Sequence, residues 1–268
     1  MELAGHLQLW ALRIDYGFSE AEMAAMAEKM PIVLNASTVS AAAARRIGNA
    51  GAEVFAMHNF YPRPETGLDG DYLLEKTREL QQCGLKVLAF ISGDTLLRGP
   101  VFEGLPTLEE HRSVLPSAAF ADLVIHYGMD GVFVADPGLS EQEQQRMRRL
   151  CREGIVSVPA VLEPEYEDLY ERVFTCRVDS PRRLVRFLES REYSCRGKTV
   201  EPKECCPRNR GSITIDNEKY GRYTGEIQLI RSDLKADSRV NVIGQVPENA
   251  WLLMDCIQRG QKFTLVRP

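Results

Sequence analysis

The sequence predicts an α/β fold: serial strand–helix units around a parallel sheet, followed by a smaller β-rich domain. Three observations predict it. Five short apolar runs in the first 160 positions each end on polar residues, helix-start signals lie between the runs, and the composition changes near residue 160. Of the 268 residues, 1–160 carry 14 Lys+Arg against 21 Asp+Glu, whereas 161–268 carry 19 against 17, with 14 of those 19 being Arg. The expected domains are therefore 1–160 and 161–268.

The runs are 9–14, 32–34, 54–57, 86–91 and 131–135, and they end at Asp15, Asn35, His58-Asn59, Ser92-Gly93-Asp94 and Asp136. Five such units predict a (β/α) barrel or an open doubly wound sheet, with the polar residues at its carboxyl edge. Between them, Ser19 with Glu22, Thr107 with Glu110 and Ser140 with Glu143 read as capping boxes. In each, a hydroxyl satisfies a free backbone N–H and a carboxylate three positions on returns the bond. After a linking strand at 154–158 and an acidic stretch at 163–171, residues 173–177 lead into an expected helix. Asp179 or Ser180 would cap it, Pro181 would lie in its first turn, and Leu184, Val185, Phe187 and Leu188 would form its apolar stripe. Strands at 212–215, 224–230, 240–244 and 263–266, with turn chemistry at Asp216-Asn217 and Tyr220-Gly221, complete a small barrel.

A net charge of −5 argues against a nucleic-acid partner, because neutralising phosphates requires a cationic excess. No run approaches the roughly 18 apolar residues of a membrane span, and residues 1–6 lack a signal peptide's basic start and apolar core, so a cytoplasmic location is expected. Seven cysteines without a CxxC pair predict neither disulfides nor zinc, and most are expected to be buried. The chain also lacks HExxH, Walker-type, GxGxxG and GxSxG motifs, so no metal or nucleotide cofactor is expected.

The densest chemistry lies at 58–68, where His58, Asn59, Tyr61, Arg63, Glu65 and Thr66 are stiffened by Pro62 and Pro64. Such a loop at a strand's carboxyl end presents groups with little freedom and suits an active site. The alternative is a rigid structural loop in which Arg63 pairs with Glu65. Asp15 and Asp136 end other strands, as catalytic carboxylates or as backbone-binding ones. Asn35-Ala36-Ser37-Thr38 would cap the next helix or hold an anion there. The 94–104 loop, with Arg98, would form a lid or substrate wall. His6, His111 and His126 have no ligand-spaced partner and read as structural or surface residues.

Together, the segments 12–18, 34–38, 58–68, 98–100, 103–108, 214–217 and 220–223 resemble the bacterial 6-phospho-N-acetylmuramidase family over nearly the whole chain. The resemblance implies a TIM-like barrel followed by a cyclophilin-like β-barrel. It also implies a glycosidase of cell-wall recycling that cleaves N-acetylmuramic acid 6-phosphate from N-acetylglucosamine, a small-molecule substrate. Glycoside cleavage calls for two carboxyl groups, so Glu65 is expected to work with Asp15 or Asp136. Asn35, His58, Asn59, Tyr61, Arg63 and Arg98 would contact the sugar, and Arg177, Arg210, Tyr220 and Arg222 its phosphate. An oligomer is compatible with this picture.

This sequence departs from the family pattern in three places. The family's opening three strand–helix units have no counterpart before Leu12, Phe174 and Cys176 replace a more polar segment before Arg177, and Cys205-Cys206 is an unusual thiol pair. The expected barrel is therefore N-terminally incomplete. A catalytically impaired sugar-phosphate-binding protein is the competing expectation; a sugar-phosphate isomerase or aldolase would want a strand-end Lys, and Lys86 begins its strand.

Overall fold

The computed structural model describes residues 4, 6–49, 53–190 and 199–268. Most of the segment 1–6 therefore lies outside the described residues, as does Cys195. The chain separates into two compact units, residues 1–140 and 141–268. The division precedes residue 160 because the helix Glu141–Glu153 packs on the strand that follows it, Ile155–Pro159, inside the second unit.

In the first unit, β1 (Leu12–Ile14), β2 (Ile32–Asn35), β3 (Val54–Met57), β4 (Lys86–Ile91) and β5 (Gly131–Val134) pair in parallel in sequential order. Helices α1 (Glu20–Ala27), α2 (Ala41–Gly48), α3 (Gly70–Gln82) and α4 (Pro116–Ile125) alternate with them. Unreversed order with right-handed crossovers puts all four helices on one face. Alternation along each strand then decides where a side chain goes. Leu34, Ala56, Val87 and Ala89 are buried, while Val33, Phe55, Met57 and Leu88 cluster together, flanked by Ala11 and Phe90. β1 is shorter than its apolar run: Leu9 and Trp10 precede it and are exposed, with Trp10 set against Phe55 at 5.0 Å.

Ser19 and Glu22 form the expected capping box of α1. Two other capping expectations fail because the hydroxyls have different partners. Ser40, not the Asn35–Thr38 segment, caps α2. Thr107 accepts from Phe90 N (2.9 Å) and donates to Asn59 O (2.9 Å), so it joins two loops, and the 3-10 turn Glu109–His111 starts with no side-chain cap.

That turn carries the main loop fastening. Arg112 binds Glu109 through Nε (2.6 Å) and Nη2 (2.7 Å). The same guanidinium donates to the carbonyls of Tyr61 (3.0 Å), Arg63 (3.3 Å), Glu103 (3.3 Å) and Gly104 (3.2 Å). Glu109 in turn accepts from Glu65 N (2.9 Å) and Gly67 N (2.7 Å). Hydrogen bonds from Arg112, with those from the Glu65 and Gly67 amides, hold the Glu109 carboxyl down at about 2.

In the second unit, α5 (Glu141–Glu153) ends at Gly154, whose φ of 67° suits a residue without a Cβ and turns the chain directly into β6 (Ile155–Pro159). The remaining strands are β7 (Val161–Leu162), β8 (Val173–Thr175), β9 (Leu184–Arg186), β10 (Ser212–Asp216), β11 (Ile227–Ile230), β12 (Val240–Gln245) and β13 (Lys262–Val266). They form a five-stranded sheet, β7-β12-β10-β11-β9, and a three-stranded one, β6-β13-β8. Phe174, Phe187 and Phe263, with ring centroids 4.7–5.9 Å apart, fill the core between strands of both. A short helix, α6 (Trp251–Cys256), lies between β12 and β13.

The helix expected over 181–188 is instead the strand β9, paired antiparallel with β11 through Leu184↔Ile230 and Val185↔Leu229. Val185 and Phe187 are buried while Leu188 is 49% exposed, a two-residue alternation. The cysteines are also less buried than expected: of the six described, Cys176 and Cys256 are buried and Cys151 and Cys206 are exposed. None of the described helices is long and apolar enough to cross a membrane.

Two outcomes follow for stability. Replacing Arg112 with Ala, which strands a carboxylate and four loop carbonyls, should cost about 2–4 kcal/mol in urea unfolding; a loss below about 0.5 kcal/mol would contradict the fastening role. His58, buried against α3 with Nε2 3.1 Å from Thr77 Oγ1, is pushed down to about 4 by burial and by Lys76. Its neutral form is the folded one, so this contribution is full above the ordinary value of 6.5 and is lost as pH falls toward 4. A His58→Gln variant should flatten the stability profile across that window.

Candidate functional site

The carboxyl ends of β1, β2 and β3 share one hydrogen-bonded network. Asn35 Nδ2 donates to Asp15 Oδ1 at 3.0 Å, and its Oδ1 accepts from Ser37 N at 3.0 Å, so the amide is fixed from both sides. Arg13 Nε reaches Asp15 Oδ1 at 3.1 Å, and its Nη2 donates to Asn59 Oδ1. Asn59 Nδ2 then extends to Ser37 Oγ at 3.5 Å. Asp15, Asn35 and Asn59 are thus brought together, with Arg13 as the link that sequence reading missed. Beside them Phe60 meets Phe90 edge-on at 5.2 Å, and the Arg98 guanidinium lies 5.8 Å from the Phe60 ring. A polar network fringing aromatic surface is what a small polar ligand needs.

His58, one residue before Asn59, points the other way. It is fully buried against α3 and does not join the network. Strand alternation sends consecutive residues to opposite faces, so the dense 58–68 motif divides between core and surface. Tyr61 donates its backbone N–H to Pro106 O at 3.0 Å and gives its carbonyl to Arg112. Arg63 and Glu65 are exposed and form no ion pair among the described residues; Thr66 Oγ1 instead donates to Arg63 O at 2.6 Å. Glu65 has a φ of 65°, a left-handed conformation that costs a non-glycine residue energy and is held by the bond from its N–H to Glu109.

Asp136, at the end of β5, is buried and spends its carboxylate on backbone. Oδ2 accepts from Gly93 N (3.0 Å) and Leu105 N (3.2 Å), and Oδ1 from Arg98 N (2.8 Å). It ties both ends of the 94–104 loop to β5. Two further groups escaped the sequence reading. Asp122 sits between His111 Nε2 (2.8 Å) and His126 Nδ1 (2.5 Å), and only its four-residue spacing from His126 on α4 gave a signal. Glu109 and Arg112, three residues apart, carried a similarly weak one.

In the second unit, Arg177 grips Asp179 through Nε (2.9 Å) and Nη2 (2.7 Å), with Nη1 3.9 Å from Glu226 Oε1. Arg186 binds Glu226 at 2.6 Å. Asp216, buried in the same cluster, is pushed up to about 7 by burial and then by the Glu226 charge. Gln228 Nε2 lies 3.3–3.4 Å from its carboxyl oxygens. Arg222 donates to Tyr223 OH at 2.8 Å, while Tyr220 lies under Arg239 at 4.4 Å. Arg210 is held elsewhere, by Asp255 at 2.5 Å and the Trp251 ring at 5.4 Å. Arg210 precedes the five-residue β10 and Arg222 follows it.

Two family models match this chain. The one described as "6-phospho-N-acetylmuramidase, N-terminal" covers residues 1–149, and "6-phospho-N-acetylmuramidase, C-terminal" covers 156–266. Among curated proteins no relative matches. A crystal structure of a conserved Enterococcus faecalis protein with an unknown function is similar at 36% identity and a TM-score of 0.86, over 99% of this chain and 74% of that one. An uncharacterized B. cereus protein is similar at 26% identity and a TM-score of 0.82, over 99% and 79%. With family models matched along nearly its whole length, the chain belongs to the 6-phospho-N-acetylmuramidase family.

Proposed function

We propose that the protein is a glycoside hydrolase that cleaves N-acetylmuramic acid 6-phosphate from N-acetylglucosamine in peptidoglycan recycling in the cytoplasm. The observation that carries this reading is the joint one of family membership and a carboxylate–amide network at the strand carboxyl ends. In fold terms the five parallel strands are read as part of a TIM-like barrel, and the second unit as the cyclophilin-like domain.

Glu65 and Asp15 are the proposed carboxyl pair. Glu65 is exposed on a loop whose backbone is pinned on both sides, by the Arg63 carbonyl and the Gly67 amide. Asp15 is held through Oδ1 by Arg13 and Asn35, and Oδ2 accepts nothing among the described residues. One group would protonate the leaving oxygen while the other attacks the sugar or activates water. Asp136 is assigned to loop positioning, because its contacts are all to backbone amides. Asn35, Asn59, Tyr61, Arg63 and Arg98 are the sugar-facing groups, and Arg177, Tyr220 and Arg222 the candidates for the phosphate. Arg210 and His58 leave the set, since one is engaged by Asp255 and the other is buried against α3. The reading invokes no metal or nucleotide.

The test is release of N-acetylglucosamine from the phosphorylated disaccharide. Wild-type protein should release it, and Glu65→Gln should lower turnover roughly 1,000-fold while unfolding at the same urea concentration. Near-normal hydrolysis by that variant would remove Glu65 from the mechanism. Saturable thermal stabilisation by the disaccharide with no release from wild type would instead support the impaired, binding-only relative.

A further inference from the structure

The second unit concentrates positive charge at a place that none of the proposed substrate groups occupies. A hollow of about 320 Å³ is lined by Arg182, Arg231 and Arg259, and by a single carboxylate, Asp255. That carboxylate is already held by Arg210 at 2.5 Å. Among the described residues none of the three guanidiniums forms an ion pair, and Asp255 is the one carboxylate beside them.

Arg231 sets the geometry. Its Nε and Nη2 donate to Met254 O at 3.0 and 2.8 Å, and Nη2 also reaches Ile257 O, which fixes the guanidinium plane at the end of α6. Among the described residues Nη1 donates to nothing. Burial pushes Arg231 below its ordinary value, and Arg210 acts in the same direction against the pull of Asp255. Carbonyls satisfy hydrogen bonds without neutralising a charge. Arg259 spends Nε on Ser180 O at 3.3 Å, leaving its terminal nitrogens for a ligand, and Arg182 is exposed at the rim. Three guanidinium forks lining one small hollow suit an oxyanion, which accepts from several such donors at once.

We propose that this hollow is a binding site for a phosphate group, carried as free phosphate or as a phosphate monoester. Arg231 supplies the fixed donor, and Arg182 and Arg259 close on the anion from the rim. Within the second unit, Arg177, Tyr220 and Arg222 are not among its lining residues.

Calorimetric titration of the whole protein with inorganic phosphate and, separately, with glucose 6-phosphate, at matched ionic strength, tests this. Saturable binding is expected, weakened roughly 30-fold in the Arg182→Ala, Arg259→Ala double variant, which alters only exposed side chains. Tighter binding of the phosphosugar identifies a monoester ligand, and equal affinity identifies the phosphate group itself; each supports the site. No saturable heat from either up to about 20 mM, or unchanged affinity in the double variant, overturns it.

Discussion

Two long polar loops leave the carboxyl edge of the first unit's sheet, and one half-buried guanidinium fastens both. Arg112 donates to carbonyls at Tyr61 and Arg63 on one loop and at Glu103 and Gly104 on the other, while Glu109 neutralises it and receives amides from the first. Ordering a residue's backbone costs about 1–2 kcal/mol, so loops this long stay in one shape only when their polar groups find partners. Arginine suits the position because its donors form a rigid planar fork, which lysine cannot replace. The positive φ of Glu65 is a consequence of the same fastening. Asp136 repeats the principle with opposite sign, holding the 94–104 loop by three backbone amides where Arg112 holds carbonyls.

With the loops held, side-chain chemistry is left to residues that do no fastening. Asp15, Asn35 and Asn59 meet across three neighbouring strands, each orienting another through Arg13 or Ser37. The second unit concentrates its ionisable groups differently. Asp216 and Glu226 lie buried in one cluster with Arg177 and Arg186, and burial, then the Glu226 charge, raises the Asp216 carboxyl to about 7.

The five parallel strands were legible because each is an apolar run closed by a polar residue, and the pattern survives any tertiary context. β9 was not, since Pro181 with four apolar residues within five positions fits a helix turn as well as a strand; pairing with Leu229 and Ile230 decided it. In the candidate site, the strand-end positions of Asp15, Asn35 and Asn59 were legible, and the structure joins the three in one hydrogen-bonded network. His58 misled because a motif does not reveal which of two adjacent residues faces the helices. Asp136 looked like a catalytic group for the same reason that it makes a good clamp: a carboxylate at a strand end meets many free amides. Arg112 left almost no trace, because its partners are main-chain carbonyls up to 51 positions away that carry no side-chain signature.

Amide hydrogen exchange resolved at single residues, comparing wild type with Glu109→Gln, addresses the fastening most directly. The Glu65 and Gly67 amides, slow in the wild type, should accelerate by at least about 10-fold in the variant. Over the same comparison the Gly93, Arg98 and Leu105 amides, held by Asp136, should keep their rates. Unchanged protection at Glu65 and Gly67 in the variant would show that Glu109 does not fasten the loop, and that 58–68 is ordered by its prolines alone.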